Sequence, residues 1–318
     1  MNKRLNWLWC RTLQSLSIFA ARPYVVRELP GWGRLYDLVV GGHERNWLWA
    51  TAPTRTIQGK LHGYSMRLDL SKWADRSAFF LGRWYDLGTQ LVITDLLRSG
   101  DTVVDIGANR GMFALAASRL VGDAGKVICF EPNPNCFNLL DRDIAANGIA
   151  NIVVHKIGLG SREEELLLSV PLINSGEGTF GQSAYGADTT YQVRAEVKRG
   201  DQILADARPS LIKIDVEGFE CNVLAGLAGT IGLHRPIILT EVVSAHLARC
   251  GSSVQELRSL MESWGYRGHS LSLHKEKGRY GWQLVPFDEA SPAFDALWLH
   301  PEVMRSHASV LTGHVRSQ

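Results

Sequence analysis

Thr102-Val103-Val104-Asp105-Ile106-Gly107-Ala108-Asn109-Arg110-Gly111-Met112-Phe113 is the stretch that decides the fold. Val103, Val104 and Ile106 are β-branched and bounded by turn residues, as in a buried strand of a parallel sheet. Gly107 and Gly111 allow a tight bend and a close approach of ligand to backbone. From Met112 to Leu120 the residues favour helix. A strand that turns through glycines into a helix N-terminus is the nucleotide-binding corner of a doubly wound α/β sheet. A glycine turn in an α/β domain without a ligand would read the same way.

The corner departs from the dinucleotide fingerprint G-x-G-x-x-G, because Asn109 stands where the second glycine lets a pyrophosphate approach. No Gly-Lys-Ser/Thr follows, which excludes a P-loop. An adenosyl ligand without phosphates remains, and S-adenosylmethionine fits, with Asp105 orienting its charged amino-acid part. Lys126-Val127-Ile128-Cys129-Phe130-Glu131-Pro132-Asn133-Pro134 reads as a second strand ending in an acid. Glu131 lies 20 residues after Gly111, the spacing of a ribose-binding carboxylate. A carboxylate can accept both hydrogen bonds of a vicinal diol; a solvated strand-end acid is the plainer alternative. Pro132 and Pro134 end the strand, and residues 135–147 read as helix.

Further strands are expected over 151–157, 163–170 and 191–197. The last two flank Asn174-Ser175-Gly176-Glu177-Gly178-Thr179-Phe180-Gly181-Gln182-Ser183, expected to be a mobile loop at the acceptor entrance or a plain surface loop. Leu211-Ile212-Lys213-Ile214-Asp215-Val216-Glu217-Gly218 reads as the fourth strand. Period two puts Lys213, Asp215 and Glu217 on one side if the segment is extended throughout. Charges on a buried strand call for a partner or a ligand. Residues 236–242 give a fifth strand with Glu241 near its end, which adjacent parallel pairing brings close to Glu217. Three readings stay open for this cluster: a carboxylate general base with Lys213 tuning charge, a divalent metal site, or a plain salt-bridged group. His246 follows Glu241 by five residues and could serve as an extra base.

The turn DIGANRG, the strand end FEPNP and the segment LIKIDVEGFECNVLAG, taken together and in this order, resemble the FkbM-type methyltransferase family over roughly residues 60–300. The resemblance implies a Rossmann-like doubly wound sheet of class I methyltransferases, mostly parallel with an antiparallel last strand, plus a helical N-terminal extension. It implies S-adenosylmethionine-dependent O-methylation of a hydroxyl on a sugar, glycolipid or secondary metabolite. It also puts the adenine edge at Gly158 and Leu159. Residues and resemblance together assign Asp105, Gly107, Ala108, Asn109, Gly111, Phe113, Glu131, Pro132, Asn133, Gly158, Leu159 and Asp215 to the cofactor. They assign Lys213, Asp215, Glu217 and Glu241 to catalysis. The alternatives are a non-catalytic binding module on the same fold and an NAD-dependent dehydrogenase. The intact Asp105 and Glu131 speak against the first and Asn109 against the second.

The expected organisation is an extension and cofactor-covering segment over 1–98, the methyltransferase domain over 99–300 and a patternless tail over 301–318. Within the extension, Leu5, Leu8, Trp9, Leu13, Leu16 and Ala20 recur at helical spacing, and Lys3, Arg4, Arg11 and Arg22 precede the first acid, Glu28. Residues 1–22 therefore read as a basic amphipathic helix that either packs on the body or a partner chain, the favoured reading, or lies on an anionic membrane surface. Polar Arg11, Gln14 and Ser15 argue against a signal peptide. The aromatic stretch 78–86, with Trp84 and Tyr85, is either a lid or packing. Residues 266–273 and 293–300 suit the last strand pair, with a charged turn over 275–279.

With 45% hydrophobic residues, 21% charged residues and a net charge of +2, the 318-residue chain has an ordinary globular composition and no signature of a nucleic-acid partner. Its five cysteines form no C-x-x-C pair, and no run of about 18 apolar residues occurs. The expected setting is cytoplasmic, with peripheral contact at the inner membrane surface through residues 1–22 as an option. The expected partner is a small-molecule or glycan acceptor.

Overall fold

The structure, a computed structural model, describes residues 3–311 apart from 173, 175 and 277. Met1, Asn2, Ser175, Lys277 and residues 312–318 of the segments named above lie outside the described residues. The chain forms two compact units, Met1–Leu87 and Gly88–Gln318.

The first unit has a helix over Lys3–Leu16 that continues through a wide turn, Ser17–Ala21, into a short helix, Arg22–Val26. Helices Trp32–Val39, Asn46–Trp49 and Trp73–Leu81 follow, with a hairpin of β1 (Thr54–Gln58) and β2 (Ser65–Asp69) between the last two. The extension is helical, with this hairpin set between its helices and Ile57, Met66 and Leu68 as its buried residues. Trp49, Met66, Leu68, Leu70 and Phe80 are buried together with Arg76, which donates to Asn46 Oδ1 at 2.9 Å and to the Leu70 carbonyl at 3.3 Å. Trp84 stacks on Tyr85 at 4.3 Å and Tyr85 on Trp73 at 5.0 Å, so this aromatic stretch packs on itself.

The second unit is built on an eight-stranded sheet. Its parallel part comprises β3 (Thr102–Ile106), β4 (Lys126–Phe130), β5 (Ile152–His155), β9 (Leu211–Ile214) and β10 (Ile237–Val243). Counted among themselves these strands lie in the order third-second-first-fourth-fifth. Strand order therefore reverses between β3 and β9, and the carboxyl ends at such a reversal are where doubly wound sheets bind ligands. The intervening β6 (Gly158–Leu159), β7 (Glu164–Pro171) and β8 (Thr190–Lys198) form a separate three-stranded sheet.

The expected antiparallel last strand is present as β13 (Ala293–Leu299), which pairs with β10. The antiparallel part goes further: β11 (Arg267–Glu276) pairs with β13, and β12 (Arg279–Pro286) closes a hairpin on β11. The parallel strands read as unbroken apolar runs because both faces are covered: Val103, Val104, Ile106, Val127, Phe130, Ile212, Ile214 and Ile238 are buried. Each such side chain contributes on the order of 1.5–3 kcal/mol.

The tail is not patternless. His300 caps a helix over Pro301–Ser306 by accepting from the Glu302 N–H, and Ala308–Leu311 adds a further turn. Proline at the first helical position was the overlooked signal. Among the described residues, no helix is long and apolar enough to cross a membrane.

Candidate active site

The glycine corner forms as β3 ends. The N–H groups of Gly107 and Ala108 both donate to the Phe130 carbonyl, at 3.0 and 3.1 Å, and the Asp215 N–H donates to Ile106 O at 3.0 Å. Gly107 has φ +77°, and a Cβ there would sit 1.9 Å from the Asp215 carbonyl oxygen. Its glycine is therefore required by close packing against the end of β9 as well as by backbone conformation. Asn109 also lies in the left-handed region, at φ +51°, where Asn is among the better tolerated side chains. Gly111 precedes the helix Met112–Val121.

Glu131 is buried at the end of β4, and both its oxygens are engaged. Oε2 accepts the Asn109 N–H at 2.6 Å and Oε1 accepts the Asn133 N–H at 2.7 Å. A carboxylate has about four acceptor sites, so each oxygen keeps one for a ligand hydroxyl. Burial raises its pKa to about 7 despite these two N–H donors. Asn133 is nearly fully buried, and its Oδ1 caps the helix Pro134–Asn147 by accepting from the Asn135 N–H at 3.0 Å. Its side chain thus serves the fold, with Pro132 half-buried beside it.

Asp105 is fully buried opposite Lys213 in the β3–β9 register, and neither of its oxygens has a hydrogen-bond partner. Lys213 Nζ stands 3.7 Å from Asp105 Oδ1, 3.0 Å from Asp215 Oδ2 and 5.6 Å from the Phe113 ring centroid. Burial raises the Asp105 pKa to about 6, with Lys213 opposing the rise. A buried acid short of donors, a second acid with two open acceptor sites and a helix N-terminus fit a ligand that carries both a cation and a vicinal diol. S-adenosylmethionine has both. Ala108 and Phe113 are buried at this corner. Leu159 points into the hydrophobic core and Gly158 packs against Phe180, so any contact of β6 with an adenine would go through backbone.

The acidic segment differs from its sequence reading. β9 ends at Ile214, and Glu217 adopts φ +55° in the turn that follows. Only Lys213 of the three charged residues lies in the strand, so period-two alternation does not align them. The turn is fixed by Glu220, a buried acid overlooked in the sequence, whose Oε1 accepts the Val216 and Gly218 N–H groups at 3.2 Å each. Its place in the first turn of a helix was the available signal. Parallel pairing of β9 with β10 does bring Glu217 and Glu241 together, and His246 joins them. His246 Nδ1 lies 2.8 Å from Glu217 Oε2 and 3.9 Å from Glu241 Oε2. Burial pushes both carboxyls above their usual range; His246 opposes the rise at Glu217, whereas Asp215 and Glu217 add to it at Glu241.

The loop after β7 closes on both halves of the site. Thr179 Oγ1 donates to the Glu217 carbonyl at 2.9 Å, the Gln182 N–H donates to Arg249 O at 3.2 Å, and Tyr185 donates to Glu177. Gly176 lies so close to Asn109 that a Cβ there would meet Asn109 Nδ2 at 2.4 Å. Behind the corner, Arg110 pairs with Asp143 at 3.3 Å, both buried.

A family model for the methyltransferase FkbM domain matches residues 105–267, from Asp105 to the start of β11. The chain belongs to the FkbM methyltransferase family. It is an S-adenosylmethionine-dependent methyltransferase, as the resemblance of its motifs implies. This methyltransferase is 29% identical to Methyltransferase 1 of Beauveria bassiana over 187 residues, which cover 52% of this chain and 71% of that protein. It is 28% identical to the hexuronic acid methyltransferase AglP of Haloferax volcanii over 200 residues, covering 58% and 74% of the two chains. Among solved structures, the methyltransferase FkbM from Methylobacillus flagellatus overlaps 84% of this chain and 60% of its own, with a TM-score of 0.40 and 16% identity.

Proposed function

We propose that this methyltransferase acts on a hydroxyl oxygen of a sugar, glycolipid or secondary metabolite, and that a sugar is the first acceptor to test. The observation that carries the reading is the 2.8 Å approach of His246 Nδ1 to Glu217 Oε2, with Glu241 beside it, at the carboxyl edge of β9 and β10. Nδ1 and Glu217 approach without the alignment of a hydrogen bond; with the ring turned so that an Nδ1 proton meets Glu217, Nε2 of His246 is the base that takes the acceptor hydroxyl's proton, and Glu217 stabilises the imidazolium. Glu131 receives the ribose diol, and Asp105 with Lys213 and Asp215 sets the charge around the amino-acid end. The cofactor, when bound, supplies a methyl group on a cationic sulfur. Holding the acceptor oxygen in line with that methyl contributes much of the acceleration. The name of the Haloferax volcanii relative supports a uronic acid or related sugar as acceptor.

A second reading of the same cluster is a divalent cation held by Glu217, Glu241 and His246, whose ligand atoms lie within 4.8 Å of one another. Cysteines that are free at all five positions suit a reducing, cytoplasmic setting.

Labelled methyl transfer to a panel of uronosides, neutral glycosides and phenols, run with and without a chelator, tests these readings. Transfer to a sugar hydroxyl that survives chelation supports the base. Loss on chelation with recovery on magnesium or manganese gives the cluster to a metal. Labelling of nitrogen acceptors alone overturns O-methylation.

A further inference from the structure

The N-terminal helix is held to its unit by the wrong face for a core-packing amphipathic helix. Among residues 9–16 of this helix Gln14, in its last turn, is the buried one, and Gln14 Nε2 donates to the Leu48 carbonyl at 2.7 Å. At roughly 100° per residue, Trp9, Leu13 and Leu16 fall within about 60° of one another, and Gln14 lies about 140° from Trp9. The apolar stripe therefore faces away from the contact that anchors the helix. Trp9 is 64% exposed, Leu16 58% and Phe19, on the wide turn that follows, 88%. Trp47 is exposed next to the very Leu48 that anchors Gln14. Packing on the body, the favoured reading of the sequence, does not account for this stripe.

We propose that the Lys3–Ala21 segment docks in the plane of an anionic phospholipid membrane, with Trp9, Leu13, Leu16 and Phe19 entering the interface. Charge selects this occupant. Residues 1–27 carry Lys3, Arg4, Arg11, Arg22 and Arg27 and neither Asp nor Glu; Arg22 is turned inward onto Phe79, and the attraction rests on the other four. A basic helix with Trp, Leu and Phe on its outward face gains both apolar burial and attraction to acidic headgroups. A second copy of this chain is disfavoured by the same count, because a two-fold contact through this helix sets like charges against each other. Arg11, Gln14 and Ser15 interrupt the segment's apolar character, and among the described residues no helix is long and apolar enough to cross a membrane, so the docking proposed is in the plane of the bilayer.

Flotation of the full chain with phosphatidylcholine vesicles, with and without phosphatidylglycerol, tests the proposal. The expected result is binding to the acidic vesicles only, weakened by salt. Leu13→Glu with Phe19→Glu lowers the partition coefficient ~100-fold, since two apolar insertions are lost. S-adenosylhomocysteine affinity and melting temperature stay as in the parent, because both side chains are solvent-exposed. Leu233→Glu, an exposed apolar position in the other unit, leaves flotation unchanged. Absence of flotation with either vesicle overturns the proposal, as does flotation that the double variant does not reduce. Light scattering that shows a dimer dissolved by the double variant gives the face to a second copy instead.

Discussion

Glu131 and Asn109 are joined through the backbone: Oε2 of the acid accepts the Asn109 N–H at 2.6 Å, and Asn109 is held at φ +51°. The same carboxylate accepts the Asn133 N–H, so one side chain ties the glycine corner to the end of β4. Glu131→Gln keeps the volume but replaces one acceptor oxygen with an NH2 donor, and one of the two backbone N–H groups loses its partner. A buried donor left unpaired costs about 1–3 kcal/mol. The expected outcome is a lower melting temperature and a rise of at least ~10-fold in the Kd for S-adenosylhomocysteine. Calorimetric titration of the variant checks it, and an unchanged Kd removes Glu131 from the cofactor site.

Asp105 lies under the same corner with neither oxygen hydrogen-bonded. Burial raises its pKa to about 6, above the usual carboxylate value. Between those two values the native state holds a proton that the unfolded chain has released. This contribution to stability is complete below the ordinary carboxylate pKa and is lost as pH rises through about 6. Asp105→Asn removes the buried charge, so at pH near 8 the cofactor-free variant is expected to be more stable than the parent by roughly 1–3 kcal/mol. It pays for this in cofactor affinity, as functional carboxylates commonly do. Urea melts across the pH range decide the point: a variant less stable than the parent at alkaline pH shows that Asp105 is a structural acid.

The corner and its fold were legible in the sequence because local signals agreed there. Val103 to Ile106, the glycines and the acid at 131 each specify the same strand-turn-helix geometry, and the pairing of Glu217 with Glu241 followed from adjacent parallel strands. What the sequence concealed depended on long-range contact or on a turn. Glu217 sits at positive φ, which period-two reasoning cannot anticipate. The role of Glu220 depends on the turn itself, because its carboxylate accepts the Val216 and Gly218 N–H groups. In sequence Gln14 reads only as an interruption of an apolar segment, yet its bond to the Leu48 carbonyl anchors the N-terminal helix.

Gly107→Ala is expected to disrupt the second unit. The new Cβ would lie 1.9 Å from the Asp215 carbonyl oxygen, a backbone atom that no rotamer change can move, and the residue would also be held at φ +77°. Overpacking and left-handed strain together cost more than ~3 kcal/mol. Gly148→Ala, at φ +61° with open space around it, isolates the conformational part and costs about 1 kcal/mol. Thermal melts of the two variants separate the terms; equal losses would show that the approach to Asp215 carries no weight.

His246 and Glu217 supply the test of the chemistry itself. If Nε2 of His246 is the proton acceptor, His246→Ala lowers kcat ~100- to 10,000-fold while leaving S-adenosylhomocysteine affinity unchanged, because neither residue belongs to the cofactor corner. Glu217→Gln keeps an acceptor oxygen within reach of Nδ1, which stands 2.8 Å from Glu217 Oε2 in the parent, but removes the charge that stabilises the imidazolium. Its loss is expected to be smaller, ~10- to 100-fold, and to appear in kcat rather than in the KM for the cofactor. The two effects should not add, since the carboxylate acts only through the ring. A double variant no worse than His246→Ala alone therefore identifies one catalytic unit. Multiplicative losses would instead mean that Glu217 contacts the acceptor independently, with His246 serving only to pack the end of β10.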